Sequence, residues 1–246
     1  MEILCDVWEG ALDIDETILH DQGDIAGLMI RLNDISGGHH KDTYFDNQWM
    51  QAESFLRAAY FVYNPWVTGL ANYDWLMRNI PPGCTVVFPD IEVRKLGYSP
   101  EIYADEVWDF LQRLSAILKV VNYTGGWFLS VLSHWPTGDY WWARYPYSLC
   151  PQGDRVRWTW QEFRQKAEQY GYHPDPLKQC PGIPKLWQCS GDKVILPGTA
   201  DRAMDLNLWS GTRKELETWW GIQAPPPMSR LDILWREAVL HGWNME

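Results

Sequence analysis

Short apolar runs alternate with stretches of helical spacing from one end of the chain to the other. Residues 2–8, 27–33, 57–63, 84–93, 119–124, 140–145, 185–189 and 203–208 are dominated by aliphatic and aromatic side chains and read as strands. Between them, residues 43–54, 68–79, 159–170 and 213–220 read as helices, with Phe45, Trp49 and Ala52 near one face of the first. The most strongly marked helix opens at Ser99-Pro100-Glu101, a capping hydroxyl, a proline in the first turn and an acid behind it. Ile102, Val107, Phe110, Leu111, Leu114 and Leu118 then form its apolar stripe. Strands that alternate with helices predict a parallel sheet, and eight of them in this length predict a closed barrel. The expected fold is therefore α/β, a (β/α)8 TIM-like barrel. Its outer helix ring should be incomplete, because connections such as 190–202 are too short for a full helix.

A Pro-rich stretch, residues 224–227, follows the last strand and helix. Beyond it Ser229 can cap a helix over 230–241, with Leu231, Leu234, Trp235 and Ala238 on one stripe. The expected organisation is a barrel over 1–222 and a spacer with a C-terminal helical tail over 223–246. Packing on the barrel or docking to a protein partner would both use that stripe.

Composition sharpens the picture in one respect. The chain holds 17 Trp and 12 Tyr, more aromatic surface than a core readily hides, and aromatic faces suit the C–H groups of sugar rings. A net charge of −11 argues against a nucleic-acid partner and against an anionic membrane surface. No apolar run is long enough to span a bilayer. The opening MEILCDVWEG lacks a signal-peptide pattern, which suggests cytoplasmic or phage-encoded synthesis with later release, or a mature exported form. The five cysteines show no C-x-x-C spacing, so no zinc site is expected; Cys150 and Cys180 bracket a loop-rich insertion and could bridge, against the reading of five idle thiols. His39-His40, beside Gly37-Gly38 and without further ligands at suitable spacing, reads as an exposed loop. No metal and no cofactor are expected.

The chemistry concentrates at Asp90-Ile91-Glu92, which ends the strongly apolar run begun at Thr85. Strand side chains alternate, so Asp90 and Glu92 share a face, with Cβ atoms roughly 7 Å apart or less. Barrel active sites lie at this end of the strands. Two neighbouring carboxyls repel, and one tends to keep its proton at neutral pH, which supplies an acid beside a base. Asp6 ends the first strand and Asp205 lies in the last. In a closed barrel those strands are neighbours, and all four acids can meet across the mouth.

With these positions in hand, the chain resembles the lysozymes of glycoside hydrolase family 25, in order from about residue 4 to about residue 221. Asp6-Val7 with Gly10 is similar to that family's opening motif. Ala59-Tyr60-Phe61, Asp90-Ile91-Glu92, Asn122-Tyr123-Thr124-Gly125 and Trp141-Trp142-Ala143-Arg144-Tyr145 resemble its successive strand motifs. Trp187-Gln188, Pro197-Gly198 and Asp205-Leu206-Asn207 resemble its C-terminal series. The sequence departs from the family pattern in a shortened opening motif around Trp8-Glu9, in Arg31-Leu32-Asn33-Asp34, and in Phe61 where the family has histidine.

The resemblance implies cleavage of the β-1,4 bond between N-acetylmuramic acid and N-acetylglucosamine in peptidoglycan glycan strands. Catalysis would be substrate-assisted and retaining. Glu92 is then the general acid, and Asp90 steadies the acetamido group of the substrate. Asp6 and Asp205 position substrate and tune the central pair, and Tyr60, Tyr63, Tyr123, Trp141 and Trp187 form the sugar platform. The alternatives are a non-catalytic glycan-binding or structural barrel within a larger, phage-like assembly, and a hydrolase of another amino-sugar polymer such as chitin.

Overall fold

The chain closes on itself as an eight-stranded barrel. The computed structural model describes residues 2–221 except 152, 154–155, 172–178 and 201, so the spacer and helix expected at 223–246 lie outside the described residues. The barrel strands are β1 (Glu2–Val7), β2 (Ile25–Arg31), β3 (Leu56–Val62), β4 (Val86–Asp90), β5 (Asn122–Gly125), β6 (Asp139–Ala143), β7 (Ile183–Ile195) and β8 (Ala203–Trp209). Each pairs with the next, and β8 returns to β1. Each of the eight expected runs overlaps one of these strands, with boundaries that differ by one or more residues. They are legible because a barrel strand is buried on both faces and needs apolar side chains at nearly every position.

One expectation is corrected. The sheet is not fully parallel: β8 runs antiparallel to both β7 and β1. The cause is the length of the connection. Strand β7 continues past the expected end at 189 to Ile195, which leaves only residues 196–202 before β8. A parallel return needs a crossover of a dozen residues or more, whereas a short link makes a hairpin.

Helices α1 (Glu16–Asp21), α2 (Phe45–Gln51), α3 (Gly69–Asn79), α4 (Pro100–Ser115), α5 (Trp160–Tyr170) and α6 (Arg213–Trp220) pack around this barrel. Only a single 3-10 turn, Leu129–Val131, is described between β5 and β6, and no helix between β7 and β8. The two faces of the strands feed two separate cores. Ile3, Cys5, Leu28, Phe61, Val87, Trp142, Trp187 and Leu206 face outward to the helices. Leu4, Ala58, Phe88, Tyr123, Trp141 and Leu186 fill the barrel interior, and Leu216 and Trp220 of α6 join them. Trp141 is 1% exposed and lies against the rings of Tyr60, Phe88 and Tyr123. Among the described residues the barrel interior is therefore a packed core, with a cavity at one end.

Helix α4 follows the sequence rules closely. Ser99 Oγ accepts the N–H of Ile102 at 3.4 Å, and Tyr103, Val107, Phe110, Leu111 and Leu114 are buried. Ile102 is not on the buried stripe; it is exposed. Helix α3 meets α4 at Gly69, where an added Cβ would stand 2.2 Å from the Glu106 carbonyl oxygen. Replacing Ser99 by Ala removes the cap and should lower stability by about 1 kcal/mol, read as a shift of the urea midpoint at unchanged slope.

The loop after β2 also differs from expectation. Residues 33–34 pair with 40–41 in a small hairpin, and His39 is held rather than exposed. Its ring stacks on Phe61 and Trp75. Its Nδ1 accepts from Asn33 Nδ2 at 3.0 Å, and its Nε2 donates to Asn72 Oδ1 at 3.0 Å. The amide orientations are fixed, because Asn33 Oδ1 accepts the Val62 N–H and Asn72 Nδ2 donates to the Asn64 and Thr68 carbonyls. Cys5, Cys84, Cys150 and Cys189 are buried, and Cys150 and Cys180 are not bridged. Among the described residues no helix is long and apolar enough to cross a membrane.

Candidate active site

A cavity of about 360 Å³ opens at the end of the barrel where β4 finishes. Asp6, Asp90, Glu92 and Asp205 all line it, together with Tyr60, Tyr123, Trp141, Arg31, Trp8 and Gln188. Alternation places them there. Leu4 and Asp6, Ala58 and Tyr60, and Phe88 and Asp90 share the inward face of their strands. Asp205 reaches the same rim for a different reason: β8 runs backwards, so a residue near its start pairs with Asp6 near the end of β1.

Two of the expected platform residues are elsewhere. Tyr63 points outward, stacked on Tyr103 and tilted against Phe110. Trp187 is fully buried in the outer core, and its Nε1 donates to the Arg144 carbonyl. In a strand the neighbour of an outward tryptophan faces inward, and that neighbour is Gln188.

Gln188 joins both halves of the rim. Its Nε2 donates to Asp6 Oδ2 at 3.0 Å and to Asp205 Oδ2 at 3.1 Å. Its Oε1 accepts from the hydroxyls of Tyr123 at 2.8 Å and Tyr145 at 2.5 Å. Asn207 lies one layer deeper, donating to Asp6 Oδ1 at 2.8 Å and to the Leu4 carbonyl at 3.1 Å. Asp205 also accepts the backbone N–H of Asp192. Gln188 and Asn207 carry one sequence signal, their place beside Trp187 and two residues after Asp205. Arg31 sits on the opposite wall, bound to Asp42 at 2.9 Å.

Six carboxyls line this space with one arginine, and the four at its centre, Asp6, Asp90, Glu92 and Asp205, cannot all ionise cheaply. Burial is the main cause in each case. It pushes Asp6 up from 3.8 to about 7, against hydrogen bonds from neighbours including Asn207. It pushes Asp205 well up, helped by the charges of Asp6 and Asp192. Asp90 rises well above its ordinary range through burial, then repulsion from Glu92 and Asp6, with Arg31 opposing. Glu92 rises from 4.5 through burial, while hydrogen bonds with Trp127 and Tyr123 hold it down in part. The single Tyr123 proton serves Gln188 or Glu92, one at a time.

Asp90 has a further property. Its Oδ1 is buried and has no hydrogen-bond partner among the described residues. An orphaned buried oxygen is costly unless a ligand or water completes it. The site thus presents a half-buried carboxyl with a raised proton affinity, and beside it a buried oxygen free to receive an N–H or share a proton. Among the described residues no cluster of His, Cys, Asp and Glu is arranged to hold a metal ion.

No protein-family model matches the sequence, and no curated protein matches it. Solved structures do. The bacterial lysozyme from Streptomyces coelicolor is similar at 19% identity and a TM-score of 0.61, covering 87% of this chain and 94% of that one. A family 25 glycosyl hydrolase from Bacillus anthracis is similar at 17% identity and a TM-score of 0.63, covering 89% and 93%. The modular Cpl-1 endolysin, solved with a peptidoglycan analogue, is similar at 14% identity and a TM-score of 0.53, covering 85% of this chain and 54% of that one. The chain has the fold of the family 25 lysozymes.

Proposed function

We propose that this protein is a peptidoglycan hydrolase, an N-acetylmuramidase that acts on the bacterial cell wall. The observation that carries the reading is the convergence of Glu92 and Asp90, both with raised proton affinity, in an aromatic-walled cavity at the barrel rim. Likeness to lysozymes and to an endolysin solved with a peptidoglycan analogue supports the same substrate class.

In this reading protonated Glu92 donates its proton to the glycosidic oxygen as the bond to the anomeric carbon breaks. The carbonyl oxygen of the substrate's own acetamido group attacks that carbon from the opposite face and forms an oxazolinium ion. Asp90 Oδ1, a buried oxygen without a partner among the described residues, accepts the acetamido N–H and holds that group in place for the attack. Ionised Glu92 then takes a proton from water, which opens the ring with net retention. This route departs from the two-carboxylate scheme, in which an enzyme carboxylate is the nucleophile. Asp6 and Asp205, fixed by Gln188, bind sugar hydroxyls, and Tyr60, Tyr123 and Trp141 supply the apolar wall. Tyr63 and Trp187 have no part in that wall.

The test is product analysis. Purified peptidoglycan and chitin oligomers are digested, and the new reducing ends are reduced with borohydride and identified. Reduced muramic acid from peptidoglycan, with slower release from chitin, is expected. Reduced glucosamine from both would reassign the bond. Glycan binding without any new reducing end would make the chain a binding barrel.

A smaller effect is expected at Trp127, whose hydrogen bond favours ionised Glu92. Trp127→Phe removes that donor, so Glu92 holds its proton to higher pH. The alkaline limb of the rate profile should move upward; a limb that stays in place while the rate falls would reduce Trp127 to a packing role.

A further inference from the structure

A second pocket lies beside the catalytic cavity and shares Val93 with it. Its volume is about 720 Å³, within the usual range for a ligand site. One wall is the hairpin loop, Ile35 through Gly38. The other is the loop after β3, with Asn64, Trp66 and Val67. Trp66 is 55% exposed, although it follows a buried Asn64-Pro65 pair that could readily have ended in a polar turn residue.

Both walls are built rather than casual. The Asn33–His39–Asn72 chain ties the hairpin to α3, and Asn72 Oδ1 also accepts the Asn64 N–H at 2.9 Å. Asn64 Oδ1 in turn accepts the Trp66 N–H at 2.9 Å and fixes the turn that presents the indole. Gly37 and Gly38 have φ of +76° and +133°, and nothing stands within 4 Å of where their Cβ atoms would be. Their backbone is open to a ligand.

Chemistry selects the occupant. No charged side chain lines the pocket, so a peptide stem with its carboxylates finds no counter-ion there. An exposed indole face suits the C–H face of a pyranose. Ile35, Val67 and Val93 offer methyl-sized apolar contacts, and Ser36 and the glycine backbone offer hydrogen bonds to hydroxyls. Continuity with the catalytic cavity through Val93 places such a sugar on the same strand as the one being cleaved.

We propose that this pocket is a distal glycan subsite that takes an uncharged N-acetylglucosamine residue of the strand held in the catalytic cavity, with Trp66 as its stacking platform. The proposal rests on the peptidoglycan reading, and it is tested by binding so that the two can fail separately. In the Glu92→Gln background, disaccharide and hexasaccharide glycans stripped of peptides are titrated calorimetrically. Trp66→Ala should weaken the hexasaccharide about tenfold, the scale of one stacking contact, and leave the disaccharide unchanged. Trp66→Phe should restore most of the loss. Equal affinities of Trp66→Ala and its parent for the hexasaccharide would overturn the subsite. A Trp66 effect that appears only when stem peptides are left on the glycan would also overturn it, in favour of a peptide site. Trp66-dependent binding by a chain whose native form cleaves nothing would keep the subsite and remove the hydrolase; cleavage by the native chain with no Trp66 dependence would do the reverse.

Discussion

Glu92→Gln is expected to lower the rate of glycan cleavage about a thousandfold, within the range that general acid catalysis supplies. The amide keeps the shape of the carboxyl and has no acidic proton to give to the leaving oxygen. Because that proton moves only as the bond breaks, the loss should fall on kcat, with KM for the glycan little changed. Stability should hold or rise: Glu92 repels Asp90, and a neutral side chain ends that repulsion. Asp90→Asn should also be slow, for a different reason, since it alters the partner offered to the acetamido group. The two roles separate on a synthetic glycoside whose leaving group is already acidic, such as a nitrophenyl ether. That leaving group needs no proton, so the first step of Glu92→Gln should recover on it, while Asp90→Asn should stay slow. If both variants recover equally, or neither does, the division of labour between the two carboxyls is wrong. Wild-type rates in the Glu92→Gln protein would remove the acid altogether.

How much of this was readable beforehand depends on which physical constraint acts at each residue. The barrel strands were legible because burial on both faces demands apolar runs, and Asp90 and Glu92 stood out because an acid directly after Val86-Val87-Phe88-Pro89 has no packing reason to be there. The direction of β8 was not legible from its own residues. It follows from how far β7 runs, and residues 190–195 mix Gly191, Asp192 and Lys193 with Val194 and Ile195, a pattern that does not announce a strand. The platform residues failed by parity. Trp187 and Gln188 are adjacent, only one can face the cavity, and composition favours choosing the aromatic; the space beside Asp6 and Asp205 instead needs a side chain with both a donor and an acceptor. Tyr63 lies just beyond the end of β3, where alternation from Tyr60 already places it outward. His39 was hidden because its partners, Asn72 and Trp75, are more than thirty residues away, and a histidine between two glycines and another histidine looks solvated from sequence alone.

The same acid cluster should make the protein more stable in mild acid than at alkaline pH. Asp6 keeps its proton in the folded state up to about 7, whereas the unfolded chain releases it near 3.8. Below 3.8 both states hold the proton. Between the two values the unfolded state is deprotonated while the folded one is not, so each rise in pH favours unfolding. Above about 7 the loss is complete. Asp6 titrates together with the acids around it, so the slope belongs to the cluster, and its sign is set by burial. Asp90 and Asp205 shift in the same direction and add to the slope. His39 acts oppositely: burial lowers its proton affinity, so it favours the folded state above its usual 6.5 and withdraws that support in acid. Asp6→Asn separates these contributions, because the substitute never ionises while His39 is untouched. Its Oδ1 still accepts from Asn207, and Gln188 keeps Asp205 as an acceptor. Urea midpoints at pH 5 and pH 8 should therefore lie far apart for the native protein and closer together for Asp6→Asn, with the variant the more stable of the two at pH 8. Parallel pH curves would mean that Asp6 is ionised in the folded protein, and that the four carboxyls are less desolvated than their burial implies.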